Sequence, residues 1–150
     1  MNTARLVEEL LLIVRVVVAA VLSGVIGWER ERAGKPAGLR TYTVVGVASA
    51  LFVTLVDVMA QRYRGYGEGL RVDPAHGIAA IATGVGFLGA GIIFVAQGEQ
   101  KVIGLTTAAL IWATAAVGAA AGLEHYVLAL GATVLLLIAM RVLVRLERPH

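Results

Sequence analysis

The sequence predicts an all-α membrane protein, with about five transmembrane helices in one compact bundle packed through small-residue faces of glycine and alanine. Three observations predict this class. The chain is 59% hydrophobic and 15% charged, whereas a soluble domain carries about 25% charged residues. The charges are gathered in short breaks between apolar segments. Glycine and alanine recur at four-residue spacing within those segments, which lets helices approach closely in a bilayer.

The third apolar segment, residues 77–95, organises the rest of the chain. It runs without a charged residue, and as a helix it would span roughly 28 Å, close to the hydrocarbon thickness of a bilayer. It contains G-x-G-x-x-G at positions 84–89. A nucleotide site needs a strand before that motif and an acidic residue about 20 positions after it, but apolar residues continue on both sides. We predict a membrane helix, with a packing stripe at Ala82, Gly86 and Ala90, flanked by Gly89.

Four further apolar segments complete the predicted bundle. Their predicted spans are residues 10–28, 41–60, 103–121 and 126–144. The first is too long and too unusually flanked for a cleaved signal peptide, so the whole chain, residues 1–150, is predicted to be a single transmembrane domain. The last has long aliphatic residues and few small ones, which indicates a lipid-facing helix.

Two charged residues interrupt these spans, besides Arg141 near the end of the last one. Arg15 either snorkels to the nearer interface or pairs within the bundle, or else it lines a pathway. Asp57 lies near the far end of the second span, where we expect a lone carboxylate to face headgroup water.

The breaks carry the remaining candidate residues. Residues 29–40 are predicted to form a turn-rich loop, in which Glu29 and Glu31 are candidate cation ligands and Arg40 a charge partner, unless the charge alternation is a solvated helix end. Asp73 followed by proline predicts a helix start. A metal pair of Asp73 with His76 is the alternative, although two ligands are a weak signal.

The distribution of basic residues predicts the orientation. Eight arginines and lysines fall in the first loop, the third loop and the C-terminal tail, against four in the N-terminal lead and the second loop, with Arg15 left out. Because cytoplasmic loops are enriched in these residues, we expect the N-terminus outside and the C-terminus inside. The same rule explains the net charge of +3 without a nucleic-acid partner.

Three stretches together resemble the MgtC/SapB family of bacterial inner-membrane proteins, in its short form without a C-terminal soluble domain. They are G-x-x-G-W-E-R-E at 24–31 continuing to AGLRT at 37–41, Asp-Pro at 73–74 followed by GVGFLGAGIIF at 84–94, and GLTTAALIW at 104–112. The chain departs from the family pattern at His76 and near Ala80, where arginine and glutamine are usual.

The resemblance implies a polytopic protein of the bacterial inner membrane that is associated with magnesium homeostasis or low-magnesium adaptation. It also implies a polar or ion site, for which the candidates are Glu29, Glu31, Arg40, Thr41, Asp73, Thr106 and Thr107. The implied helix-packing residues are Gly84, Gly86, Gly89 and Gly91.

Two functions from different classes follow. The first is a membrane regulator that acts through helix contacts, with another membrane protein as a partner. The second is an oligomeric transporter or channel for Mg²⁺ or another cation, because five short spans make a thin pore for one chain. We expect a homodimer and no cofactor. An enzyme is disfavoured, since the sequence contains no nucleophile–base pair and no metal quartet.

Overall fold

A computed structural model describes residues 3–63, 73–95 and 102–146. Five helices and one two-stranded hairpin follow one another along these residues. They are α1 (Thr3–Arg32), α2 (Leu39–Tyr63), α3 (Pro74–Ile92), β1 (Phe94–Val95), β2 (Val102–Ile103), α4 (Leu105–Gly122) and α5 (Tyr126–Leu146). All five helices are long and apolar enough to cross a membrane, which confirms the predicted fold class. Four of the basic residues used to predict orientation, Arg64, Arg71, Lys101 and Arg148, lie outside the described residues.

The first break is shorter than the predicted loop over residues 29–40. Helix α1 continues to Arg32, because glutamate and arginine are good helix formers, so Glu29 and Glu31 lie in its last turns. The helix is ended by Gly34, which has a positive φ of 64°, and the amide of Lys35 returns to the carbonyl of Arg30 at 3.1 Å. This is a common helix ending, in which glycine adopts the left-handed conformation that other residues avoid.

The predicted third and fourth spans are each too long at the end that faces the hairpin. Helix α3 ends at Ile92, and residues 94 and 95 pair in antiparallel register with residues 103 and 102. Aromatic and β-branched residues of this kind favour strands. Gly104 then adopts a left-handed φ of 89°, which glycine tolerates. A Cβ there would also overlap the carbonyl group of Ile92. Helix α4 begins one residue later.

Helix α4 is the centre of the bundle. Of the 18 residues in its membrane-spanning stretch, 56% are buried, against 11% for the corresponding stretches of α3 and α5. Because α4 consists mainly of alanine, glycine and threonine, it lets α1 and α2 pack against it at short range. The largest fully buried side chains in this core are Tyr42, Ile26 and Ile111.

Helices α2 and α4 approach each other closely at a contact between glycines. A Cβ placed on Gly118 would lie 2.8 Å from the Cα of Gly46 and 2.9 Å from its carbonyl carbon. One turn further, a Cβ on Gly122 would lie 2.9 Å from the Cα of Ala50. Real Cβ atoms do not approach backbone this closely, so only glycine allows α4 to dock here.

Candidate functional site

A polar cavity lies at the end of the bundle that carries the α1–α2 loop. Its volume is about 490 Å³, and it is bounded by the end of α1, the loop, the start of α4 and the end of α5. The polar side chains in its wall are Arg30, Lys35, Thr106 and Thr107, and Met140 and Leu143 close the apolar side. Of the predicted site residues, Thr106 and Thr107, which are adjacent in sequence, line this cavity.

Glu29, a predicted cation ligand, forms an ion pair with its neighbour. The Nε and Nη2 atoms of Arg30 both lie 2.5 Å from Oε2 of Glu29. Arg30 is 3% exposed, so the guanidinium is removed from water and depends on this carboxylate for its counter-charge. A cation at Glu29 would have to displace a buried arginine.

The charge of the cavity wall favours anionic or neutral polar groups over a cation. Arg30 is neutralised by Glu29, which leaves the ammonium of Lys35 as the net charge of the wall. The N-terminus of α4 adds a partial positive charge, because its Gly104 cap offers no side-chain acceptor to the first amides. Sequence reasoning missed Arg30, although its place between the two candidate glutamates was a signal.

Three other candidates from this end of the chain have separate positions. Oε2 of Glu31 accepts a hydrogen bond from the amide of Leu39 at 2.8 Å, so Glu31 caps the start of α2. Arg40 and Thr41 lie exposed in the first turn of α2. Arg40 borders a groove between α1 and α2, away from the polar cavity.

Asp73 lies at the opposite end of the bundle, because α3 begins where α2 ends. It is the N-cap of α3: its side chain accepts a hydrogen bond from the amide of Ala75 at 2.9 Å, and Pro74 occupies the first turn. The predicted helix start is confirmed. His76 Nδ1 lies 3.1 Å from the second carboxylate oxygen, but the described residues contain no group of three or more His, Asp or Glu side chains that could hold a metal ion.

The Asp73 cap is expected to weaken at acidic pH. The amide of Ala75, and then the imidazole of His76, hold the pKa of the Asp73 carboxyl below its ordinary value. The carboxylate therefore contributes stability above about pH 3.9, the ordinary value for Asp, and this is lost as pH falls through the lower folded pKa. Amide exchange of Ala75, corrected for intrinsic rates, should accelerate over that range.

Asp73→Asn is the matched control for this titration, because asparagine keeps an acceptor oxygen but does not titrate. Its Ala75 amide should stay protected at acidic pH, and Asp73→Ala should lose protection at every pH. Acceleration in Asp73→Asn as large as in the wild type would contradict the assignment.

Arg15 forms the second polar cluster, at the same end as Asp73. Its Nη1 lies 2.8 Å from Oδ2 of Asp57, and its Nη2 lies 2.6 Å from Oε1 of Glu124 in the α4–α5 turn. Nη1 also donates to the carbonyl of Gly122 at 3.2 Å, an acceptor that it shares with the hydroxyl of Thr54. Arg15 thus connects α1, α2 and the end of α4.

This cluster decides between the alternatives for Arg15 and corrects the expectation for Asp57. Pairing within the bundle is confirmed. Asp57 is not a lone carboxylate in headgroup water, because it shares the guanidinium with Glu124. Sequence reasoning missed Glu124 and Thr54. The signal was available, since antiparallel helices place the start of α1 beside the ends of α2 and α4.

The predicted packing glycines of α3 have two kinds of surroundings. A Cβ on Gly89 would lie 3.5 Å from the Cβ of Ala108, so this position packs against α4. A Cβ on Gly84, Gly86 or Gly91 would meet no described atom within 4 Å, and Ala90 is exposed. Gly84 borders a cavity of about 620 Å³ between α3 and α2. Packing at these four positions stays a prediction.

Comparison with known proteins adds a family and several relatives. The family model described as the MgtC family matches residues 16–149. The chain is 42% identical over 135 residues to "Putative magnesium transporter YhiD" of Escherichia coli K12, which covers 87% of this chain and 59% of the relative. It is 36% identical over 126 residues to Protein SapB of Bacillus subtilis, covering 84% of this chain and 53% of the relative.

A third relative has the same kind of partial overlap. Protein MgtC of Brucella abortus is 42% identical over 104 residues, which covers 69% of this chain and 39% of the relative. The chain therefore spans between two fifths and three fifths of the length of these three curated relatives. No solved structure matches the chain.

Proposed function

Since the chain belongs to the MgtC family and is a multi-pass bacterial membrane protein, we propose that it serves magnesium homeostasis or low-magnesium adaptation as a regulator in the inner membrane. It acts through helix contacts with another membrane protein or with a second copy of itself. Its N-terminus lies outside and its C-terminus inside, as the distribution of basic residues predicts.

The single observation that carries this proposal is the open small-residue face that Gly86 and Ala90 form on α3. Gly86 has room for a Cβ within the described chain, and Ala90, one turn further on the same face, is exposed. Glycine in a helix interior costs about 1 kcal/mol relative to alanine. In a bilayer, small residues are favourable where another helix packs closely against them. Helix α4 covers the Val85 and Gly89 side of α3, and α2 lies beside Gly77 and Gly84. The face that carries Gly86 lies outside both, so it suits a helix from outside the chain.

The charges of the bundle agree with a regulator more than with a cation pathway. Mg²⁺ is held by carboxylate and other oxygen ligands and sheds water reluctantly. Glu29 is engaged by Arg30 at one end of the bundle, and Asp57 by Arg15 at the other. Both of these carboxylates therefore already form an ion pair with an arginine of the same bundle.

The test is Gly86→Leu in a strain that depends on this protein for growth at limiting magnesium. The leucine has free space in the chain itself, so the bundle should fold and insert at the wild-type level. It should nevertheless lose complementation, because the side chain blocks close approach of a partner helix. Growth rate and membrane abundance are the two readouts.

Gly131→Leu on α5 is the matched control, because a Cβ there also meets no described atom within 4 Å and α5 is predicted to face lipid. It should complement like the wild type. Full complementation by Gly86→Leu at equal membrane abundance would sink the regulator proposal.

An oligomeric cation transporter is the second candidate, favoured by the name given to the Escherichia coli relative. On this account, purified protein in lipid vesicles carries Mg²⁺ down a gradient, and the flux falls in Glu29→Gln. Flux that is absent from the wild type, or unchanged in Glu29→Gln, counts against the transporter and leaves the regulator.

A further inference from the structure

An open groove runs along the outer surface between α1 and α2, next to their connecting loop. Its volume is about 750 Å³, and its walls are apolar except at the loop end. Ala20, Gly24 and Trp28 follow one another along α1 at four-residue spacing and line it, so the groove extends about 12 Å along the helix axis. Arg40 of α2 borders the same groove.

The groove exists because α1 carries small residues on this face. A Cβ on Gly24 would lie 3.3 Å from Oγ1 of Thr43 and 3.7 Å from Cδ1 of Leu39. The two helices are therefore in near contact at the floor of the groove. The absence of a side chain on Gly24 leaves the groove open toward the outer surface. An acyl chain or another slender apolar group fits such a channel better than a broad helix does.

The loop end of the groove carries two arginines and an aromatic ring. Trp28 is half exposed, and the guanidinium carbon of Arg32 lies 4.4 Å from the centroid of its ring. Tryptophan is enriched at the level of lipid headgroups, which places this end of the groove at the membrane surface. Arg40 is exposed, and the guanidinium group is suited to bidentate recognition of phosphate.

The nearby acidic groups do not cancel these charges. Glu29 is paired with the buried Arg30, and Oε2 of Glu31 accepts the amide of Leu39. Among the remaining charges of residues 31–40, Arg32, Lys35 and Arg40 are positive and Glu31 alone is negative. The net charge at the loop end is positive.

We propose that this groove binds an anionic phospholipid. One acyl chain lies along Ala20, Gly24 and Trp28, and the headgroup phosphate lies at Arg40 with Arg32 beside it. Apolar walls with cationic side chains at the membrane surface match an amphiphile whose head is negative. A helix from a second copy would leave Arg40 without a counter-charge, and free phosphate would leave the apolar walls unused.

The test uses the fluorescence of Trp28, which lines the groove. The chain has two tryptophans, so Trp112→Phe makes Trp28 the sole emitter. The protein is reconstituted in phosphatidylcholine vesicles with a small fraction of phosphatidylglycerol or phosphatidylcholine that carries bromine on an acyl chain, which quenches tryptophan on contact. We expect phosphatidylglycerol to associate about five-fold more strongly, which is the factor that roughly 1 kcal/mol from one basic residue, Arg40, implies.

Two substitutions at Arg40 and two controls make the outcome decisive. Arg40→Gln should remove the preference for phosphatidylglycerol, and Arg40→Lys should restore part of it, because the charge is kept and the bidentate geometry is lost. Arg62→Gln, an exposed arginine at the other end of α2, should keep the preference. The reciprocal variant Trp28→Phe should show none, since Trp112 then reports lipid away from the groove.

Equal quenching of Trp28 by the two brominated lipids would overturn the proposal, as would a preference that persists in Arg40→Gln. Weak quenching by both lipids, together with a cross-linked dimer through this face, would assign the groove to a second copy and also overturn it. Because the groove lies on α1 and α2, this test is independent of the α3 face on which the proposed function rests.

Discussion

Gly118→Val is expected to separate α4 from α2 and to destabilise the whole bundle. The first atom of any side chain at this position would overlap the carbonyl oxygen of Gly46 and lie 2.8 Å from its Cα. These are backbone atoms, so no side-chain rotation can make room. Overpacking of a tight core costs about 1 to 3 kcal/mol, and we expect the upper end of that range or more, because α4 is the helix against which the others pack.

The measurement is the free energy of unfolding of the detergent-solubilised protein, made in a Trp28→Phe background. It is followed by fluorescence of Trp112 on α4 during titration with a denaturing detergent. Gly131→Val is the matched control, since it makes the same change in a transmembrane helix with open space around the Cβ. It should be within about 0.5 kcal/mol of the wild type, as surface substitutions usually are. Equal stability of the two variants would contradict the close packing of α2 and α4.

The number and approximate position of the helices could be predicted because hydrophobic length depends only on composition. The exact ends of the helices could not be predicted in the same way, because they depend on the backbone conformation of single residues. α1 ends at the positive φ of Gly34, and α4 starts at the positive φ of Gly104. Nothing in an apolar run such as Gly77–Val95 indicates that its last two residues pair with a strand beyond the break.

Glycine positions show the same division. Four-residue spacing on α3 predicted a packing stripe, but the tight glycine contacts of the described helices lie mostly elsewhere, as at Gly118 and Gly122 against α2. Spacing reveals that a helix has a small-residue face and leaves open which neighbour covers it, because helix order in space is a tertiary property. The same limitation applies to the predicted site, because its candidate residues lie at both ends of the bundle. Glu29 pairs with Arg30, and Glu31 accepts the amide of Leu39, so both carboxylates interact with groups nearby in sequence.

Arg15→Leu is expected to destabilise the protein by about 3 kcal/mol, the lower end of the cost of breaking a buried ion pair. The side chain of Arg15 is 10% exposed and that of Asp57 is 28% exposed, so removing the guanidinium leaves a largely desolvated carboxylate. Glu124 adds less, because more than half of its side chain is in contact with solvent. The carbonyl of Gly122 also loses one of its two donors, and Thr54 remains as the other.

A double-mutant cycle with Asp57→Asn separates the ion pair from the packing of the arginine side chain. Asparagine removes the charge but can still accept a hydrogen bond from Gln61, which lies 3.0 Å from the Asp57 carboxylate. Once Arg15 is replaced by leucine, Asp57→Asn should recover stability, because it removes a negative charge that no longer lies beside the guanidinium of Arg15. Arg62→Leu, an exposed arginine on α2, should have little effect.

Additivity of the two single changes within about 0.5 kcal/mol would show that the pair makes no contribution of its own. Strong coupling would mean that α1, α2 and the α4–α5 turn are held at this end by charge, while glycine contacts hold α2 and α4 together along the interior. An arginine in a membrane helix is then explained by its partners in the bundle, and no ion pathway is needed to account for it.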